Sequence, residues 1–149
     1  MRDAILNSAD KYNLLSGRVP MMLNRLLAQN FKKRGIALTK EQWSILTILW
    51  KSDGLSQQVL ADLTHRDKPS TTRLIDTLEK NKYVLRKADK ADRRLNLIYL
   101  TTKGRAVEAQ VLDTVEETIE TVTQDLSMDQ IETIRIAFDI IYTNIKKVL

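Results

Sequence analysis

The chain contains no cysteine, which removes disulfides, thiolate metal sites and cysteine-based redox sensing from consideration. Histidine occurs once, as His65, so a histidine-built metal site is not expected. Glycine and proline are scarce, with 4 and 2 copies in 149 residues, and long helices with few irregular loops are expected. No apolar run approaches the ~18 residues that a membrane span requires. The opening stretch MRDAILNSADKYNLLSG has neither the basic start nor the unbroken apolar core of a signal peptide. Together these absences point to a cytoplasmic chain of one domain, long enough to bury a core without covalent staples. A nucleophile–base pair, a phosphate-binding loop and a metal-ligand spacing are also missing. Catalysis is therefore not expected, and no cofactor or metal is implied. Paired carboxylates such as Glu116 and Glu117 read as the wet face of a helix.

What is present is an uneven charge distribution. The net charge is +5. Between His65 and Arg105 there are 12 Lys/Arg against 5 Asp/Glu, a local charge of +7. Between Ala106 and Ile134 there are 8 Asp/Glu and no Lys/Arg, a local charge of −8. A basic block followed at once by an acidic one points to a polyanionic partner for the first only.

Periodicity supplies the elements. Residues from about Ser8 to Lys33 read as a helix, with Leu15, Val19, Met22 and Leu26 at helical spacing. Pro20 either kinks it or marks its true start. Thr39 and Gln42 form a capping box for a helix carrying Trp43, Leu46, Leu49 and Trp50 and ending near Asp53-Gly54. The tryptophans admit a ligand-platform reading, but they share the face of Leu46, which favours core packing. Ser56 caps a short helix with Val59, Leu60 and Leu63 inward and Ala61 at a close crossing. Asp67 caps the next, with Pro69 in its first turn and Leu74, Ile75 and Leu78 buried. The short connection from Thr64 to Asp67 is that of a helix-turn-helix. Tyr83–Lys87 and Leu95–Leu100 read as strands around the charged turn ADKADRR. Thr101 caps a helix from Lys103 to Asp125, and Ser127 caps a last one.

The stretch Asp67 to Gly104 organises the rest. A basic helix followed by a charged hairpin suggests a winged helix. Lys68, Ser70, Thr71, Thr72 and Arg73 lie at the N-terminal end of the second helix of the helix-turn-helix, where base edges are met. The turn supplies Lys90, Asp92, Arg93 and Arg94. Arg94 is the candidate for insertion into a narrow minor groove. Asp92, a carboxylate misplaced on charge grounds, makes sense as the acceptor that fixes that guanidinium. Outside the winged unit, Leu15 and Val19, then Leu112, Val115 and Ile119, then Phe138, Ile141 and Ile145 form apolar stripes. A symmetric dimer or an intramolecular bundle would bury them.

On these residues the chain resembles the MarR family, the multiple-antibiotic-resistance-type transcriptional regulators. Asp92-Arg93-Arg94 followed by Leu100-Thr101-Thr102-Lys103-Gly104 is similar to that family's wing signature, D-x-R and then L-T-x-x-G. Arg73 to Lys80, RLIDTLEK, is similar to its recognition helix. The resemblance covers essentially the whole chain. It implies a mainly α fold: a winged helix-turn-helix lobe with a small β-hairpin wing over 36–100, and dimerisation helices over 1–35 and 101–149. It implies a homodimeric regulator of double-stranded DNA, mostly a repressor at palindromic sites, released by a small aromatic or phenolic effector. Arg94 becomes the minor-groove residue, Asp92 its orienting partner, and Ser70, Thr71, Thr72 and Arg73 the major-groove readers. One departure stands out: Lys82 occupies a position before the first wing strand where the family usually has glycine. Either Asn81 takes the positive φ instead, or the turn is built differently. A winged-helix dimer acting on a protein partner is the alternative function.

Overall fold

The computed structural model describes residues 7–149, so the first six positions of the expected 1–35 segment lie outside it. The chain divides into two compact units, one up to Val115 and one from Glu116 to Leu149.

In the first unit the expected N-terminal helix is two helices. α1 (Ser8–Ser16) is capped by Asn7, whose Oδ1 accepts from Asp10 N at 2.9 Å. Gly17 breaks it, and α2 (Arg18–Lys33) follows. Pro20 is the third residue of α2, where its missing N–H would have no intrahelical partner. It therefore marks a helix start. α2 buries Leu27 and Phe31 and ends in a Schellman motif, with Gly35 at φ +70° and Ile36 N donating to Phe31 O at 2.9 Å.

α3 (Lys40–Lys51) carries the expected capping box, with Gln42 N on Thr39 Oγ1 at 3.2 Å and Thr39 N on Gln42 Oε1 at 2.9 Å. Its Ile45, Leu46 and Leu49 are buried. Trp43 and Trp50 pack against the same core. α4 (Gln57–Leu63) starts at Ser56, as expected. Only Leu60 and Ala61 are buried on it; Val59 and Leu63 are exposed, contrary to the inward set read from sequence. Seven residues make barely two turns, too few for a periodicity to choose between neighbouring faces.

α5 (Lys68–Lys80) buries Thr71, Ile75 and Leu78 at steps of four and three, with Leu74 half-buried. β2 (Val84–Ala88) and β3 (Asn96–Leu100) are the two expected strands, each beginning one residue later than read. A third strand, β1 (Leu55–Ser56), was not foreseen, because two residues carry no alternation. The sheet order is β1-β3-β2, all antiparallel, with Leu55 opposite Ile98 and Arg86 opposite Ile98 on the other side.

α6 (Thr102–Ala106) and α7 (Glu108–Thr123) replace the single helix read over Lys103–Asp125. Trp50 Nε1 donates to Gly104 O at 2.9 Å. That carbonyl is the one a continuous helix would offer to Glu108 N, so a tertiary bond competes with the helix at the break. α7 buries Val111, and Val115 packs half-buried on the same core. Val115, expected at the dimer interface, packs against this core one turn beyond Val111 on the same face.

The second unit holds the end of α7 and α8 (Met128–Val148), which starts from a capping box of Ser127 and Gln130. α8 has no buried residue. Phe138, Ile145 and, on α7, Ile119 are exposed, and Ile141 is half-buried. In the first unit Leu15, Val19 and Leu112 are likewise exposed. Among the described residues, no helix is long and apolar enough to cross a membrane.

Candidate nucleic-acid interface

The turn between α4 and α5 is a Schellman motif. His65 takes φ +53°, His65 N donates to Asp62 O at 3.2 Å, and Arg66 N donates to Ala61 O at 3.0 Å. Two residues later Asp67 begins α5. Its Oδ1 accepts from Ser70 N at 2.8 Å and its Oδ2 from Ser70 Oγ at 3.0 Å. These two bonds hold the Asp67 carboxyl below its ordinary value.

The polar cluster at the start of α5 divides by face. Lys68 and Arg73 are exposed, and Ser70 and Thr72 are half-buried. Thr71 is 1% exposed, and its Oγ1 donates to Asp67 O at 3.0 Å. It cannot meet a base edge, which corrects its assignment as a reader. It stands one turn before Ile75 and two before Leu78, so it shares their inward face. Thr72 Oγ1 donates to Lys68 O at 3.0 Å and accepts from Gln57 Nε2 at 3.1 Å. The outward stripe continues past Arg73 through Asp76, Thr77 and Lys80, all exposed. Thr77, which the sequence reading did not single out, extends this exposed stripe four residues from Arg73.

The departure at Lys82 is resolved by the structure. α5 ends at Asn81 with φ −84°, and Lys82 itself adopts φ +62°. Lys82 N donates to Glu79 O at 2.9 Å, and Tyr83 N to Leu78 O at 2.9 Å, a full Schellman motif with lysine in the glycine position. Asn81 does not take the positive φ. Tyr83, which follows, is buried near Leu78 in the same core, the apolar pairing that accompanies this motif.

The L-T-x-x-G segment closes the base of the wing. Leu100 is buried. Thr101 N donates to Tyr83 O at 3.0 Å, while Thr101 Oγ1 accepts from Gly104 N at 3.0 Å. Lys103 Nζ donates to Asn81 O at 2.9 Å and lies 4.3 Å from the Tyr83 ring centroid. At Gly104 a Cβ would overlap the Tyr83 carbonyl oxygen. The motif therefore fixes where β2 departs from α5.

At the wing tip, Asp89 N donates to Leu95 O at 2.8 Å and Leu95 N to Asp92 O at 2.9 Å. Asp92 Oδ1 accepts from Arg94 N at 3.0 Å and from Arg94 Nε at 3.3 Å. The Arg94 side chain is 93% exposed. Asp92 thus meets the guanidinium it was expected to meet. Lys90 and Arg93 are exposed beside it. An ion pair this exposed contributes little stability, so its effect is on where Arg94 is held.

A separate cleft of about 560 Å³ is lined by Leu27, Ala28 and Phe31 of α2, by residues 35–39, and by Trp43. Phe31 and Trp43 meet edge to face, with centroids 6.4 Å apart. The Trp43 Nε1 donor is buried with no hydrogen-bond partner, which costs ~1–3 kcal/mol when no partner is supplied. Among the described residues, no group of three or more His, Asp or Glu side chains is placed to hold a metal ion.

Comparison with known proteins agrees with this geometry. Residues 38–95 match the MarR family. The HTH-type transcriptional regulator TtmR of Methylorubrum extorquens (strain PA1) is 34% identical over 74 residues, which are 50% of this chain and 38% of that protein. The chain therefore matches well under half the length of that relative. The uncharacterized HTH-type transcriptional regulator YybA of Bacillus subtilis (strain 168) is 22% identical over 118 residues, 79% of each chain. In structure, a MarR transcriptional regulator from Methanosarcina mazei Go1 superposes with a TM-score of 0.84 at 23% identity, covering 98% of this chain and 96% of that one. Residues 38–95, within the winged helix-turn-helix lobe, thus match the MarR family, and the chain shares the fold of that solved MarR regulator.

Proposed function

We propose that the protein is a sequence-specific, DNA-binding transcriptional regulator that acts as a homodimer, represses from a palindromic operator and is released by a small aromatic or phenolic effector. The observation that carries the reading is the wing: Arg94, held by Asp92 through two hydrogen bonds, projects from the same lobe as a helix presenting Lys68 and Arg73. In this reading α5 lies in the major groove, with Lys68, Ser70, Thr72, Arg73 and Thr77 facing the duplex. Arg94 enters the adjacent minor groove, and Lys90 and Arg93 meet phosphates. The exposed apolar positions Leu15, Val19, Leu112, Ile119, Phe138 and Ile145, with half-buried Ile141, support burial against a second copy. A twofold dimer would match two operator half-sites. The cleft beside Trp43 supports the effector, since a concave wall that includes Leu27, Phe31 and Trp43 suits an aromatic ring.

The test is fluorescence anisotropy on a duplex selected by the purified protein from a random-sequence pool. Arg94→Ala is expected to weaken binding by ~1–3 kcal/mol, the scale of a specific contact. Asp92→Ala is expected to weaken it as well, despite removing a negative charge, because the freed guanidinium must then be ordered on insertion. Equal or tighter binding by Asp92→Ala would refute the orienting role. With ~8 phosphate contacts per dimer, log K against log[salt] should have a slope near −7. A flat dependence, or no enrichment of any duplex, would favour a protein partner instead.

A further inference from the structure

We infer that Arg86 is a positioning residue that locks the wing to the recognition helix, so that the two reach one duplex at a fixed separation. The inference rests on the DNA-binding reading above. Arg86 is the third residue of β2, and its side chain is only 19% exposed. Its Nη1 donates to Glu79 Oε1 at 2.8 Å, its Nη2 to Asp76 Oδ1 at 2.6 Å and its Nε to Gln57 Oε1 at 3.0 Å. Its backbone N donates to the other Glu79 oxygen, Oε2, at 2.9 Å. Glu79 therefore grips both the strand and its side chain. Gln57 in turn donates through Nε2 to Thr72 Oγ1 at 3.1 Å.

The network runs from Thr72, near the start of α5, through α4 to β2 and back to Asp76 and Glu79, near the end of α5. The strand that carries the wing cannot tilt against the recognition helix without breaking several of these bonds at once. Burial restrains only the base of the strand, since Val84 is buried and Leu85 half-buried while Lys87 and Ala88 are exposed. The geometry needs a planar fork with donors in three directions, which lysine does not provide. The network also answers a charge problem. Asp76 and Glu79 stand on the helix proposed to face DNA, with side chains 58% and 40% exposed, and their charge would oppose phosphate. Arg86 offsets part of that charge while fixing the angle. A wing fixed before binding loses less entropy when it docks.

Coupling is the readout that separates this role from plain stability. The probe is the duplex selected by the parent chain, and the measurement is a double-mutant cycle between Arg86 and Arg94. In the parent, Arg94→Ala is expected to cost about tenfold in affinity. In an Arg86→Met background the same change should cost less than about threefold, since a loose wing gains little from its arginine. Thermal midpoints and dimer state are checked for each variant. If Arg86→Met does not fold, Arg86→Lys serves as the background, because it keeps the charge but loses the fork. The same shrinkage of the Arg94 effect is expected there. Additive effects, with Arg94→Ala costing as much in the altered background as in the parent, overturn the inference while leaving DNA binding standing. No Arg94 effect in the parent also overturns it, because there is then no wing contact to position. A parent chain that enriches no duplex overturns the DNA-binding reading itself, and this inference with it.

Discussion

Gly104→Ala is the substitution for which helix propensity and tertiary structure give opposite signs. Gly104 lies inside α6, and in an exposed helix alanine would stabilise by ~1 kcal/mol. Here the added Cβ would overlap the Tyr83 carbonyl oxygen and sit 3.1 Å from its carbon and 3.2 Å from Leu100 Cδ2. Two of these three atoms are backbone, at the point where β2 leaves α5, so no flexible side chain can give way. Relief requires α6 to move off the wing base. That movement would stretch the bond from Thr101 N to Tyr83 O, now 3.0 Å, and the bond from Trp50 Nε1 to Gly104 O, now 2.9 Å. Overpacking costs ~1–3 kcal/mol, and each weakened hydrogen bond up to ~1 kcal/mol. Because the overlap is with a backbone oxygen, the overpacking cost lies at the ~3 kcal/mol end; with up to two weakened bonds, and less the ~1 kcal/mol of propensity, the net loss is ~2–4 kcal/mol. For a chain of this length that is a fall of ~6–12 °C in the melting midpoint. Thermal melts followed by far-UV circular dichroism, with both proteins at one concentration because any oligomer melts in a concentration-dependent way, measure it. An unchanged or raised midpoint would show that the close approach of α6 to Tyr83 is not a constraint.

Lys82 should respond to backbone conformation alone: Lys82→Gly is expected to be neutral or slightly stabilising, whereas Lys82→Val should lose ~1–3 kcal/mol, because a β-branched residue is strained at positive φ; equal urea midpoints for the two would refute this. Asp67 has its carboxyl held below the ordinary value of 3.8 by its bonds to Ser70. Its contribution is therefore present above that value and lost as pH falls through the lowered one, so Asp67→Asn, which still caps, should flatten the acid-side loss of stability in parallel pH titrations. An acid limb as steep as the parent's would count against it. Sedimentation of the full chain at micromolar concentration should give a dimer, and a clean 17.2 kDa monomer would leave the exposed stripes of α7 and α8 unexplained.

Local chemistry was legible in the sequence wherever a side chain acts on its own neighbourhood. The caps at Thr39, Ser56, Asp67, Thr101 and Ser127 are all formed. Each requires only a side-chain oxygen and an amide three residues away, so no distant contact can change it. The pairing of Asp92 with Arg94 belongs to the same class, because it closes over two residues. The basic winged stretch was legible too, since charge and turn spacing survive whatever the core does.

What the tertiary structure decided was which face each short element presents, and which residues meet across the chain. Thr71 reads as polar and outward until the packing of Ile75 and Leu78 turns it inward. Val59 and Leu63 read as inward until a two-turn helix spends its buried face on Leu60 and Ala61. Lys82 adopts a glycine conformation because the Schellman bonds and the burial of Tyr83 hold it there. Arg86 gave no sign of its role, since its partners Gln57, Asp76 and Glu79 lie between 7 and 29 residues away. Sequence spacing encodes contacts made within a turn or two of helix, where backbone geometry fixes the distance. It does not encode contacts that exist only once separate elements have packed.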